Sequence, residues 1–267
     1  MNIRLTNEER DGRTIGADKL ALAVALLNAK GAVVIENVFP HERLSELRAA
    51  VVAMQPHEPT ETGGRKRIGL PIDSEFTAPD IVEHPTLLSF ADEVVGDDCI
   101  LRTLTAVVVE AGAAASDTIH MPQPLFPESR HVRFPAHNLL IDVALDDLTA
   151  DNGALDVWPG SHMLPDHMVV LHDPSFLREL AGMTPQETLP APKGAVVIRD
   201  SRLWHRERPN ATSNASVKLS LSYRRWWDIR DDRLPIPLSF FERSSTRLKR
   251  LLRFEDISEQ YDGVVQA

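Results

Sequence analysis

In the first third of the chain, apolar residues recur at the three- and four-residue spacing of helices. Three helices are predicted: one that ends at Gly31, one that begins after Pro40 and one that begins at Pro85. The unbroken apolar run 32–35 predicts a short buried strand between the first two helices. Segment 56–69 is rich in proline, glycine and charge, and it predicts an exposed loop.

From Leu101 onward the pattern changes to that of strands. Short apolar runs separated by Pro, Gly and Asp predict strands at 101–110, 138–145, 154–158, 195–198 and 217–227. Short strands at this spacing are typical of a sandwich or jelly roll. A helix is predicted as an insertion near 173–182, and a basic amphipathic helix is predicted over 240–252.

The order of these elements predicts one domain that spans residues 1–267. No repeat or low-complexity linker divides the sequence. The predicted parts are a helical cover at 1–98, a jelly-roll core at 99–228 that holds the inserted helix, and a helical tail at 229–267.

Composition narrows the classes of partner. The formal net charge is −10, which disfavours nucleic acid and anionic membranes as partners. The single cysteine, Cys99, excludes an intramolecular disulfide and a multi-cysteine metal site. The first ten residues are polar, and no apolar stretch approaches the ~20 residues that a membrane span needs. We therefore expect a cytoplasmic protein that acts on a small molecule; the sequence does not specify its oligomeric state.

Two segments together resemble the phytanoyl-CoA dioxygenase family. The first contains Asn152-Gly153-Ala154-Leu155 and Pro159-Gly160-Ser161-His162. The second contains Asp200-Ser201-Arg202-Leu203-Trp204-His205, followed by Pro209-Asn210. The resemblance covers most of residues 15–230. It implies a mainly β fold, a double-stranded β-helix (a jelly-roll, cupin-like barrel) with N-terminal and C-terminal helices. Active members use Fe(II) and 2-oxoglutarate to oxidise small molecules.

The resemblance also implies a metal site made of two histidines and one carboxylate, with His-x-Asp supplying two of the three ligands. His120 matches the first histidine and His205 the second, so we predict that they approach each other at the barrel mouth. The carboxylate position is Pro122, whose side chain has no donor atom. Glu207, in His205-Arg206-Glu207, is a candidate third ligand, although we favour a solvated loop residue.

The family's anchor for 2-oxoglutarate is also altered. The resemblance implies an arginine about a dozen residues after the distal histidine, on the last barrel strand. In the register that we favour, Val217 takes that position and faces inward, with Leu219, Leu221 and Tyr223. A slip of one residue would instead turn Lys218 inward, as a point charge and not a planar fork. We therefore favour no cofactor, with Fe(II) and 2-oxoglutarate as the alternative.

Other residues are candidates for a site that works without a metal. His120, His205 and Tyr223 are the candidate catalytic residues, because a neutral imidazole near its working pKa transfers protons well. The candidate substrate-binding residues, which include polar groups and aromatic candidates for pocket walls, are Gln123, Phe126, Trp158, Trp204 and Lys218. For the tryptophans, a place in the core is the competing interpretation.

Three functions stay open on the sequence alone. The first, which we favour, is an enzyme that carries out a non-oxidative isomerisation, cyclisation or elimination on a secondary metabolite. The second is a hydroxylase-type Fe(II)/2-oxoglutarate oxygenase with substituted ligands. The third is a non-catalytic protein that binds small molecules. Retention of both His120 and His205 favours some chemistry, because an inert relic need keep neither.

Overall fold

The computed structural model describes residues 1–54, 63–114, 118–121, 134–165, 174–229 and 233–259. Strands in this part of the chain are β1 (Asn2–Arg4), β2 (Ala32–Glu36), β3 (Arg65–Gly69), β4 (Ile100–Val109), β5 (Asn138–Ala144), β6 (Leu155–Val157), β7 (Glu187–Leu189), β8 (Val196–Asp200), β9 (His205–Glu207), β10 (Ser216–Arg224), β11 (Pro235–Pro237) and β12 (Asp256–Ser258). The helices are α1 (Asn7–Asp11), α2 (Ala17–Lys30), α3 (His41–Ala53), α4 (Pro79–Val82), α5 (Pro85–Val95), α6 (Pro174–Met183), α7 (Leu238–Arg243) and α8 (Thr246–Leu251).

Two sheets form the walls of a jelly roll. The larger sheet has seven strands in the order β1-β2-β8-β5-β10-β4-β3. Its neighbours are antiparallel, apart from the parallel pair β1 and β2. The smaller sheet has the order β7-β6-β9. No helix among the described residues is long and apolar enough to cross a membrane.

The two faces of the larger sheet pack differently. Its outer face packs on the helices, where Leu219 and Leu221 of β10 join Leu27 of α2 and Phe90 of α5 in one apolar cluster. Its inner face meets the smaller sheet across a second apolar cluster, whose members include Ala32, Val34, Ala144, Leu155, Val157, Leu189 and Val197. Beside this cluster the barrel interior becomes polar and charged, and the candidate site lies there.

Two predictions about local structure are wrong. The N-terminal third contributes three strands to the larger sheet and not one. One of them, β3, falls within the segment predicted as an exposed loop; its basic residues are tolerated because Arg65 is paired inside the barrel. The predicted tail helix over 240–252 is two short helices, since Ser245 caps the second by accepting a hydrogen bond from the Leu248 amide at 2.9 Å.

Helix α2 ends as predicted, at Gly31 with a left-handed φ of +86°. Gly31→Ala is expected to destabilise the chain by at least about 2 kcal/mol, since a left-handed alanine costs ~1–2 kcal/mol and a clash adds to it. A Cβ there would meet His162 Nδ1 at 2.6 Å and Leu203 Cδ1 at 2.7 Å. Denaturant unfolding checks this. The control is Gly182→Ala in α6, where an added Cβ would meet no atom within 4 Å, so this change should be neutral or slightly stabilising. Equal losses of stability in the two variants would contradict the packing at Gly31.

Candidate functional site

The two matched histidines lie side by side. His205 opens β9, and the backbone of His120 forms an antiparallel bridge with it. The amide of His120 donates to the His205 carbonyl at 2.8 Å, and the reverse bond is 3.2 Å. The imidazole centroids are 5.4 Å apart, with ring planes 22° from parallel. The predicted approach of His120 and His205 is confirmed.

His205 is held neutral, with a fixed tautomer. Its Nδ1 lies 2.9 Å from the Leu203 carbonyl, which accepts, so Nδ1 carries the proton. Its Nε2 is then an acceptor, and Arg199 Nη1 lies 3.4 Å from it. Burial, followed by the positive charge of Arg199, lowers the pKa of His205 to about 3. The nitrogen that would bind a metal therefore faces a guanidinium.

A small cavity of about 50 Å³ opens beside the two imidazoles. Its lining is dominated by charged side chains and consists of Arg67, Val107, His120, Asp142, Arg199, His205, Glu207, Lys218 and Ser220. The strand register explains this set. Arg67, Val107 and Lys218 lie opposite one another across β3, β4 and β10, and Ser220 lies opposite Asp142 of β5.

Lys218 joins the two buried carboxylates of the cavity. Its Nζ lies 2.9 Å from Glu207 Oε1 and 3.7 Å from Asp142 Oδ2. Burial alone would raise the pKa of each carboxyl, but the charge of Lys218, together with nearby arginines and hydrogen bonds, more than offsets it, so both pKa values fall to about 2. Both groups are ionised at neutral pH.

Each carboxylate also has a second cationic partner. Glu207 Oε2 lies 3.2 Å from Arg65 Nε, and Asp142 Oδ2 lies 3.6 Å from Arg199 Nε. Ser220 donates its hydroxyl to Asp142 Oδ1 at 2.6 Å. The expectation that Glu207 is a solvated loop residue is wrong, since it is a strand residue held by two cations.

The favoured register of the last barrel strand is also wrong. Lys218 lines the cavity, whereas Val217 belongs to the cluster packed on the helices. Tyr223 lies on that same outer face and donates its hydroxyl to the Val82 carbonyl at 2.8 Å. Burial raises the pKa of this phenol. The prediction that Tyr223 joins the catalytic cluster is wrong, because alternate residues of a strand face opposite sides of a sheet.

Trp158 and Trp204 support the site and do not line its cavity. Both are buried with Leu177 and Ala181 of α6, and Ile119 and Met121 pack against this cluster. Trp158 Nε1 donates to the Ala181 carbonyl at 2.8 Å. The tryptophans therefore pack beneath the segment that carries His120. Gln123 and Phe126 lie outside the described residues, as does Pro122.

Reasoning from the sequence missed four charged residues of the site: Arg65, Arg67, Asp142 and Arg199. A usable signal existed for two of them. Asp142 and Arg199 each stand as a charge within an apolar strand, β5 and β8, where a charge needs a partner. Arg65 and Arg67 are two residues apart, which is the spacing of residues on one face of a strand. The composition around them is nevertheless typical of a loop.

The fold agrees with comparisons to known proteins. The family model for phytanoyl-CoA dioxygenase (PhyH) matches residues 27–216, so the chain belongs to this family of oxygenase-fold enzymes. A curated relative, the dioxygenase trt7 of Aspergillus terreus, is 26% identical over 218 residues, which is 75% of this chain and 71% of trt7.

Solved structures confirm the predicted jelly-roll fold. The non-heme alpha ketoglutarate dependent epimerase SnoN from nogalamycin biosynthesis superposes with a TM-score of 0.64 at 20% identity, over 79% of this chain and 84% of SnoN. HygX from Streptomyces hygroscopicus, solved with nickel, 2-oxoglutarate and hygromycin B, gives a TM-score of 0.63 at 15% identity, over 80% of this chain and 88% of HygX.

The described residues do not fit the metal and co-substrate that these structures hold. Nε2 of His205 faces a guanidinium, and Glu207 and Asp142 are already paired with cations. Within the described part of the chain, no group of three or more His, Cys, Asp or Glu side chains is arranged to hold a metal ion. A metal would also meet the positive charge of Arg199 at close range, which is unfavourable in a buried site.

Proposed function

We propose that this chain is an enzyme of small-molecule, secondary metabolism that carries out a non-oxidative isomerisation, cyclisation or elimination without iron or 2-oxoglutarate. One observation carries the proposal: Arg199 Nη1 lies 3.4 Å from Nε2 of His205, on the atom that would bind the metal. An arginine is always protonated in proteins, so a fixed cation occupies the approach of any metal cation.

The two histidines would have different roles. His205 is partly buried, neutral and engaged at both ring nitrogens, so it positions Arg199 and does not exchange protons readily. His120 is exposed at the cavity and is the candidate acid–base residue. It would remove a proton from one carbon of the substrate and return it to another position, while the cationic cluster stabilises the negative charge that develops in between.

The comparisons support isomerisation as the reaction type and also leave an oxygenase as the alternative function. SnoN is described as an epimerase, so isomerisation occurs on this fold, but it does so with alpha ketoglutarate. Its complex contains Fe3+, alpha ketoglutarate and nogalamycin RO. The alternative function is therefore an Fe(II)/2-oxoglutarate oxygenase with substituted ligands.

Anaerobic titration with Fe(II) and 2-oxoglutarate distinguishes these two functions. We expect no micromolar binding of 2-oxoglutarate by calorimetry, because Lys218, the inward cation nearest the anchor position, is already paired with Glu207. HygX, which was solved with 2-oxoglutarate, is the positive control. Micromolar 2-oxoglutarate binding, or succinate formed in step with substrate turnover, would refute the proposal and favour the oxygenase.

A further inference from the structure

We infer that Arg199 is a binding residue for a carboxylate of the substrate, so the substrates of this site are small carboxylic acids. The inference rests on the proposed function, because it assigns to a substrate anion the place beside His205 Nε2 that a metal would otherwise need. Three independent features of the cavity support it: the Nε–H donor of Arg199 that has no hydrogen-bond acceptor among the described residues, the charge balance and the size of the cavity.

Arg199 has more donors than partners. Arg199 is only 7% exposed, and its Nε has no hydrogen-bond partner in the described part of the chain. Its remaining contacts are weak: Nη1 lies 3.4 Å from His205 Nε2, and Nε lies 3.6 Å from Asp142 Oδ2, too far for a hydrogen bond. A guanidinium carries five N–H donors, and a buried charged donor without an acceptor is costly. An acceptor in the cavity removes that cost.

The charges around the cavity also favour the binding of an anion. Among the residues that the structure describes, Arg65, Arg199 and Lys218 are three cations paired with two carboxylates, Asp142 and Glu207. Within this set of five side chains, one positive charge is in excess. An uncompensated charge in a buried site is strongly unfavourable, so a bound anion would stabilise the arrangement.

The cavity sets the size of that anion. Its volume of about 50 Å³ is a few times the ~10–15 Å³ of cavity volume that one water requires, so it suits a single carboxylate group and not a metal with a bidentate dicarboxylate. The planar guanidinium fork matches a carboxylate in geometry as well as charge. A carboxylate seated on Arg199 leaves the rest of the acid on the side lined by His120, the candidate acid–base residue.

Acetate and acetamide, which have nearly the same shape and differ in charge, test this in metal-free protein containing a chelator. The readout is the imidazole nitrogen resonances of His205, which touches Arg199. We expect saturable, millimolar binding of acetate and no response to acetamide. Arg199→Gln should weaken acetate binding about tenfold or more, the range for losing a charge-assisted hydrogen bond. Arg206→Gln, on the same strand as His205 but paired with Asp156 outside the cavity, should leave binding unchanged.

An equal response to acetamide, no response at His205, or unchanged acetate binding in Arg199→Gln would overturn the inference. The comparison of the two probes in the unmodified chain decides the question even if Arg199→Gln does not fold. In that case Arg199→Lys, which keeps the charge and loses the fork, should bind acetate more weakly than the unmodified chain. Micromolar Fe(II) and 2-oxoglutarate binding would refute the proposed function, whereas failure of acetate binding alone refutes only the carboxylate assignment.

Discussion

Lys218→Met is expected to destabilise the folded chain by about 3–5 kcal/mol at neutral pH, the usual cost of removing one partner from a buried ion pair. Lys218 is only 5% exposed, and it is the cation common to both carboxylates of the cavity. Without it, Glu207 would keep Arg65, and Asp142 would keep the hydrogen bond from Ser220 and the distant ionic contact with Arg199. Denaturant unfolding of the unmodified chain and of Lys218→Met measures the difference in stability.

The loss should depend on pH in a defined direction. In the unmodified chain the pKa values of Asp142 and Glu207 are lowered to about 2 in the folded state, below their usual values near 4. Their contribution to stability is therefore complete above about pH 4 and is lost as the pH falls toward 2. In Lys218→Met both folded pKa values rise, so these carboxyls take up protons more readily, and the difference from the unmodified chain should narrow below about pH 5.

Two further variants locate the effect. Lys218→Met combined with Asp142→Asn removes the cation together with the carboxylate that depends on it most, and it should recover part of the lost stability. Lys66→Met, on β3, breaks the partly exposed ion pair with Glu110 and should lower the stability of the fold by no more than ~1 kcal/mol. A loss for Lys218→Met as small as that for Lys66→Met would mean that Lys218 does not lie inside the barrel.

The sequence was sufficient to predict the pair of histidines but not the charged cluster around them. His120 and His205 match the two histidine positions of the family that the sequence resembles, and their approach was predicted from that resemblance. The inward face of β10 could not be predicted in this way. A shift of one residue exchanges Val217 for Lys218, and the strand is buried on both faces. Its hydrophobic pattern therefore does not distinguish the face toward the helices from the face toward the barrel interior.

The same ambiguity hid the strands of the N-terminal third. β3 pairs with β4, which is not its neighbour in a hairpin. Arg65 is buried and Arg67 is partly buried by contacts that no local pattern reports. Lone charges in apolar strands, such as Asp142 and Arg199, were the signal in the sequence. They indicated a polar barrel interior, but the pairing of Arg199 with His205 depends on how β8 and β9 lie in the folded barrel.

Arg199→Leu combined with Pro122→Asp is expected to create a metal site and to raise the affinity for Co(II), a spectroscopic probe for Fe(II), by more than about 100-fold. The gain should exceed the 10–100-fold that indirect contacts contribute to metal affinity, because the variant adds an anionic ligand and removes a cation from His205 Nε2. The lysine and valine of β10 are left unchanged, since Val217 packs on the helices and an arginine there would be buried among apolar residues. Visible absorption of Co(II) measures the affinity without requiring any catalytic activity.

The control for this prediction is Arg206→Leu combined with Pro122→Asp, which makes the same change of charge on the outside of the smaller sheet. It restores the carboxylate but leaves Arg199 beside His205, so its Co(II) affinity should stay well below that of the Arg199 variant. Two outcomes separate the physical causes. Equal affinity in the two variants would mean that the missing carboxylate alone limits metal binding and that Arg199 is no barrier. Tight Co(II) binding by the unmodified chain would show that Arg199 moves aside, and the proposed metal-free chemistry would lose the observation that carries it.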